Sequence, residues 1–503
     1  MRARSDNRML ASLTAQAVAI AVVLIACAAA IVAGQMAQGA PGQPPLSAGL
    51  VIKGKAPVSN DVLKVTLPKP QKADLPNGMH LMVLEDRRLP RIAFQIIVPG
   101  AGGYYDPPAM IGLSSYTAQM MREGTTTKSS QQISQELETM SANVNVGSGT
   151  SGTFASVSGG ALTESFPRLF ELTADVLLNP SFPADEWDRL KVRTRTGLIQ
   201  QRTQPGFLSA ERFSKVIFGD HPAGRVSATP ETLDAITRDA MVEFHSTRFV
   251  PDHALIAFAG DISLAEARKL VEGKLGAWKK AGAAKPATTQ PPAPGPPKVY
   301  LVARPNSVQT SLTVGMQSMV RTDPDYVPLT VANRVLGGTM GRLFRHLREE
   351  KGYTYGIGSG FSATDFRGQW SASTQVRTEV TEPALNDLLA EIAEMRDKVV
   401  PEKELMDAKR AIVAGFALSL ENPSQVLNYY VQNWLYGLPA DYWDTYPAKI
   451  SAVTAAQAQA AAAKYWDASK IQIVAVGDAG KITDILKKKG TLEMYDADGK
   501  PVK

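Results

Sequence analysis

Two stretches of this chain run in parallel, 218 residues apart, and that internal repeat limits the fold more than any other feature. FPADEWDRLK, starting at Phe182, is answered by VPEKELMDAK, starting at Val400, so that Pro183 falls on Pro401 and Lys191 on Lys409. The same offset carries Pro205 onto Pro423, and HALIAFAGDI around Gly260 matches IQIVAVGDAG around Gly477 with a shift of one. Four matches in order point to a duplicated domain. Between the copies, AGAAKPATTQPPAPGPP (residues 281–297) is proline-rich and aperiodic, so it reads as an extended linker.

Each copy opens with alternating apolar strands, at 80–84 and 92–98 in the first and at 299–302 and 310–316 in the second. Helical stretches follow, and a buried strand closes each copy at 255–259 and 471–476. This order predicts an α+β fold of two homologous domains, each a mainly antiparallel sheet with helices packed on one face. The expected boundaries are 65–280 for the first domain and 298–490 for the second. A C-terminal tail is expected over 491–503.

Ahead of the first domain, Arg2, Arg4 and Arg8 precede an apolar run over 15–33 and small or polar residues over 34–40. Positive, then apolar, then small is the order of an export signal. The run is also long enough for a single membrane anchor, and Leu24-Ile25-Ala26-Cys27 has the form of a bacterial lipobox. All three alternatives for residues 1–40 place the body outside the cytoplasm, in the periplasm or otherwise exported, behind a tether over 41–64. Cys27 is the one cysteine, so the body has no disulfide and no thiolate metal site. The net charge of +6 is scattered over 503 residues without a basic tract, which argues against nucleic acid as a partner.

The chemistry-bearing residues begin at Leu75-Pro76-Asn77-Gly78, a tight turn leading through two strands to a helix starting near Ile111. Gly112-Leu113, Met120 and Gly124-Thr125 follow in order. This stretch resembles the N-terminal signature of the pitrilysin/insulinase peptidases, which include the mitochondrial processing peptidases: L-P-N-G, two strands, G-L-x-H-x-x-E-H-M, then G-T. The resemblance covers both copies, roughly residues 65–490. In that family H-x-x-E-H sets two histidines one helical turn apart on Zn²⁺, with the glutamate as general base. Here the histidine positions hold Ser115 and Gln119, and the glutamate position holds Ala118. The family's third ligand, a glutamate on a later helix, corresponds to Thr196 or Gly197. The resemblance therefore implies a chain that binds no zinc itself. None of His80, His221, His245, His253 and His346 lies at helical ligand spacing from another. His221 resembles a structural His-Pro turn of the family.

The second copy keeps a different signature. Residues 347–356, LREEKGYTYG, resemble the family's L-R-E-x-x-G-x-x-Y segment, whose arginine and tyrosine reach substrate near the zinc. They fall on Arg348 and Tyr355. A guanidinium holds a peptide carbonyl with two donors, and a phenol donates to a developing oxyanion. Gly352 and Gly356 are expected to serve backbone geometry. By the same resemblance Asn143, Val144 and Asn145 lie on an edge strand that pairs with an extended peptide.

The implied function is a non-catalytic, substrate-contacting subunit of a heterodimeric zinc peptidase, inactive alone. Its partner would carry H-x-x-E-H and the zinc, and its substrate would be a peptide. The rival expectation is a non-enzymatic scaffold or peptide-binding protein of the same fold. An independent hydrolase has no G-x-S-x-G elbow to support it.

Overall fold

The strand closing each copy is apolar throughout because both of its faces are covered. The computed structural model describes residues 63–282 and 284–502. The expected export segment over 1–40, Cys27 and nearly all of the tether over 41–64 lie outside the described residues. In the first domain β1 (Gln71–Asp74), β2 (His80–Glu85), β3 (Arg91–Pro99), β4 (Asn143–Ser148), β5 (Phe154–Leu162) and β6 (Leu255–Gly260) form a sheet in the order β1-β2-β6-β3-β5-β4. In the second, β7 (Val299–Ala303), β8 (Gln309–Gln317), β9 (Thr354–Phe361), β10 (Gln369–Arg377), β11 (Gln472–Gly477), β12 (Leu492–Tyr495) and β13 (Pro501–Val502) form the order β13-β12-β7-β11-β8-β10-β9.

The run β2-β6-β3-β5-β4 repeats as β7-β11-β8-β10-β9, with β2 parallel to β6 and β7 parallel to β11. The helices repeat as well. Ala184–Gln201 and Glu402–Ser419 begin and end 218 residues apart, and so do Pro205–Phe218 and Pro423–Tyr436.

One face of each sheet packs on helices of its own domain. Phe94 and Phe258 meet Phe166 and Phe170 of the Phe166–Leu178 helix, and Trp370 packs on Trp466 with ring centroids 5.0 Å apart. The other face, not anticipated in the sequence, is covered by a helix of the opposite domain. Val426, Leu427, Tyr430 and Val431 of the Pro423–Tyr436 helix lie on Met82, Leu84, Leu255 and Ala257 of the first sheet. Reciprocally, Leu208, Phe213 and Ile217 of the Pro205–Phe218 helix lie on Val302, Val474 and Val476 of the second. Residues such as Leu255 and Phe258, on opposite faces of one strand, therefore enter different cores. That arrangement is why β6 and β11 read as continuous apolar runs rather than alternating ones. The seat is close: a Cβ on Gly315 of β8 would lie 2.6 Å from Cζ of Phe213.

One expectation needs correction. The segment 491–503 is not a tail. β12 pairs in parallel with β7, and β13 forms a hairpin with it, so the β7 edge is paired rather than open. The Arg212 guanidinium stacks 3.4 Å from the Tyr495 ring centroid and donates to the Gly499 carbonyl at 2.9 Å. The proline-rich connection has no regular secondary structure, yet it is bonded along its length. Thr289 N–H donates to the Tyr104 hydroxyl, and the Arg367 guanidinium donates to the Pro291 carbonyl.

Because Phe213 joins one domain's helix to the other's sheet, Phe213→Ala is expected to cost about 3–5 kcal/mol. Urea unfolding followed by tryptophan fluorescence should then show one transition at lower denaturant, not a separate early loss of one domain.

Candidate functional site

The helix Leu113–Met120 carries Ser115, Ala118 and Gln119, the residues that the resemblance matches to H-x-x-E-H, and its first turn is anchored by a buried carboxylate. Asp106 accepts hydrogen bonds from the backbone N–H of Gly112 (2.8 Å) and Ser114 (3.0 Å) and from the Ser114 hydroxyl (3.3 Å). These are the donors a helix start leaves without partners. Arg225 ties the same loop by donating from Nη1 to the carbonyls of Gly103 and Asp106 at 2.7 and 2.9 Å. Burial pushes the Asp106 carboxyl up to about 6, against the pull of these donors and of Arg225.

The residues on this helix do not fit a zinc ion. The Ser115 hydroxyl donates to the Ser148 carbonyl at 2.8 Å, Ala118 is fully buried, and Gln119 is exposed. On the Ala184–Gln201 helix the Thr196 hydroxyl donates to the Val192 carbonyl of its own preceding turn at 3.1 Å, a local bond common for threonine. Gly197 offers no side chain. Among the described residues no three His, Cys, Asp or Glu side chains are grouped to hold a metal.

Arg348 and Tyr355 are brought together. Residues Phe344–Glu350 form a π-helix, a wide turn often found at functional sites. Gly352, at φ +60°, reverses the chain into β9, a conformation glycine adopts without cost. The Arg348 guanidinium lies between the Phe344 ring (4.5 Å) and the Tyr355 ring (4.9 Å). Tyr355 is 88% exposed. Among the described residues neither the guanidinium nor the phenol hydroxyl has a hydrogen bond or an ion pair. The stack is worth about 0.5–1 kcal/mol at such an exposed place, and it fixes direction while leaving both sets of polar donors open.

Asn143, Val144 and Asn145 lie on β4, the outermost strand of the first sheet, whereas Tyr355 lies on β9, the outermost strand of the second. Asn143 and Asn145 are exposed, but the Val144 side chain is buried in the core, so Val144 offers only backbone groups to a ligand. Of the histidines, His221 caps its Pro222–Gly224 turn by accepting from Ala223 N–H and contacts Thr289 of the connection through Nε2. His346 pairs with Glu391 at 2.8 Å. Asp106 and Arg225 were missed by sequence reasoning. An aspartate shortly before a helix start was the available signal for the first, whereas Arg225 acts on carbonyls more than a hundred residues away.

Two family models match: Insulinase (Peptidase family M16) over residues 82–228, within the first domain, and Peptidase M16 inactive domain over residues 235–412, which runs from the first domain into the second. The chain belongs to the M16 peptidase family. Among its M16 relatives, an uncharacterized zinc protease of Streptomyces coelicolor is 24% identical over 368 residues, spanning 71% of this chain and 79% of that protein. One of Mycobacterium tuberculosis is 26% identical over 373 residues, spanning 71% and 81%. The crystal structure of a peptidase M16 inactive domain from Pseudomonas fluorescens superimposes with a TM-score of 0.74 at 29% identity, covering 81% of this chain and 98% of that one. The periplasmic protease PqqL of Escherichia coli shares the fold at 14% identity and a TM-score of 0.71, over 85% of this chain and 48% of that one. This M16 chain thus has the family's fold without its metal-binding side chains.

Two outcomes follow for the site. Adding chelator or Zn²⁺ to the purified chain should leave its thermal midpoint unchanged, since a bound structural metal would shift it. Asp106 has a folded-state value raised above its ordinary 3.8, so the native state binds the extra proton between those values. Its contribution to stability is therefore fully present below about pH 4 and is lost as pH rises through about 6. Urea unfolding at a series of pH values should show that slope, and Asp106→Asn should remove it.

Proposed function

We propose that this chain is the substrate-contacting, metal-free subunit of a two-chain M16 peptidase acting on peptides outside the cytoplasm. In this reading Arg348 and Tyr355 act in trans, at the zinc site of a partner carrying H-x-x-E-H. The carrying observation is the Arg348–Tyr355 pair: stacked, with the tyrosine exposed and both polar ends without partners, in a chain whose Ser115 and Thr196 are bonded within the fold. A tyrosine 88% exposed contributes little to the core, so the pair's value to the fold is small. Oriented donors that are not committed are what a peptide carbonyl or an oxyanion requires.

The partner would hold the metal and its water. Arg348 would bind the substrate carbonyl through its fork of N–H donors, and Tyr355 would donate its hydroxyl proton to charge developing on the carbonyl oxygen. The outer edge of β4, at Asn143 and Asn145 and the backbone of Val144, would extend the peptide by strand addition. Val192 and Ile199 are exposed on the Ala184–Gln201 helix, at 68% and 58%, and suit a face turned toward an unfolded substrate or the partner. The Arg-rich, apolar, then small order of the N-terminal sequence supports the export part of this reading.

The test is peptide cleavage by this chain, by an H-x-x-E-H M16 partner, and by both together. Only the mixture should cleave, and chelator should abolish it. Arg348→Ala and Tyr355→Phe should each lower kcat about 10²–10³-fold with little change in unfolding free energy, as expected for side chains outside the core. A partner fully active alone, with nothing gained on mixing, would overturn the reading in favour of a scaffold.

A further inference from the structure

A buried arginine that is not part of the Arg348–Tyr355 pair has no carboxylate among the described residues to balance it. Arg321 follows β8, its backbone N–H held by the Thr364 carbonyl at 2.8 Å, and its side chain is only 4% exposed. The guanidinium lies on aromatic faces, 3.9 Å from the Tyr326 ring and 4.9 Å from the Tyr442 ring. Nη1 donates to the Tyr442 hydroxyl at 3.1 Å, while Nη2 is buried with no hydrogen-bond partner. Among the described residues no carboxylate reaches ion-pairing distance.

Aromatic faces attract the cation but accept none of its in-plane N–H groups. A buried donor left without an acceptor costs about 1–3 kcal/mol, and more when charged, so this arrangement calls for an anion. Arg321 lines a cleft of about 540 Å³. Its walls include Val327, Leu438 and Val453, and Lys449 stands at the same cleft, its ammonium 4.9 Å from the Tyr442 ring. Asp323 also lines the cleft, but its carboxylate is engaged by the Tyr465 hydroxyl (2.9 Å) and by Asp325 N–H (2.9 Å).

We propose that this cleft binds a carboxylate carried on an apolar body, such as the C-terminus of a peptide ending in a hydrophobic residue. The carboxylate is drawn to the guanidinium charge at the cleft wall, and a shift of the Arg321 side chain that brings Nη2 to the cleft lets the fork hold both oxygens. The apolar body fills the Val327–Leu438–Val453 wall, and Lys449 adds a second positive charge. A strongly hydrated phosphate would lose its water against those walls without replacement. The inference does not rest on a peptidase role or on any partner chain.

The full chain would be titrated by calorimetry with N-acetyl-phenylalanine, its C-terminal amide, benzoate and inorganic phosphate. Saturable one-to-one binding of either carboxylate, with the amide at least about tenfold weaker, supports the site. A preference for N-acetyl-phenylalanine would identify a peptide terminus as the source, and a preference for benzoate a small aryl carboxylate. Arg321→Gln should weaken binding at least about tenfold, and Lys449→Gln about threefold. Lys449→Gln changes no core residue and keeps the test decisive if Arg321→Gln fails to fold. No saturable binding, equal binding of acid and amide, phosphate binding as tightly as the carboxylates, or indifference to Lys449→Gln would each overturn the proposal.

Discussion

The reciprocal packing of the Pro205–Phe218 helix on the second sheet and the Pro423–Tyr436 helix on the first is the contact on which the rest of the molecule depends. A sheet covered on one face only would leave the Leu255–Ala257 and Val474–Val476 sides to water. Apolar surface buried at about 25 cal/mol per Å² favours covering them, and each domain has its cover only in the other. The proline-rich connection can therefore lack secondary structure, because the exchanged helices and not the linker join the domains.

That architecture holds two sites of opposite character at fixed places. At the positions matched to the family's metal set, Ser115 bonds the end of β4, Ala118 fills core, and Thr196, on the separate Ala184–Gln201 helix, bonds its own preceding turn. On the π-helix and β9, Arg348 and Tyr355 are oriented by stacking but leave their polar ends open. A chain that has spent one set of polar groups on its own fold and kept another available is suited to binding rather than to generating a nucleophile.

Arg321 shows the same logic within the interior. Its charge is supported by aromatic rings but not neutralised, whereas the buried carboxylate of Asp106 is met by three donors and faced by Arg225. The two groups occupy similar places, each on the segment before the first α-helix of its domain. One completes its hydrogen bonding within the fold and the other does not.

The duplication and the α+β class were legible because they rest on spacing and periodicity, and the lost metal residues and the Arg348–Tyr355 pair were legible through the resemblance of short motifs to the family's. Proline and glycine positions, apolar periodicity and motif register survive without knowledge of the partner segment. The 218-residue offset even fixed the ends of two helices in each domain. The exchange of helices, the π-helical turn, the strands at 492–502 and the aromatic bed of Arg321 were not legible, since each joins segments far apart in the chain or depends on packing that no local pattern encodes. The sequence by itself determined which elements form and which chemistry is missing. Tertiary structure alone decided which element covers which face and which charged groups are left without partners, because burial and pairing are properties of contacts between distant residues.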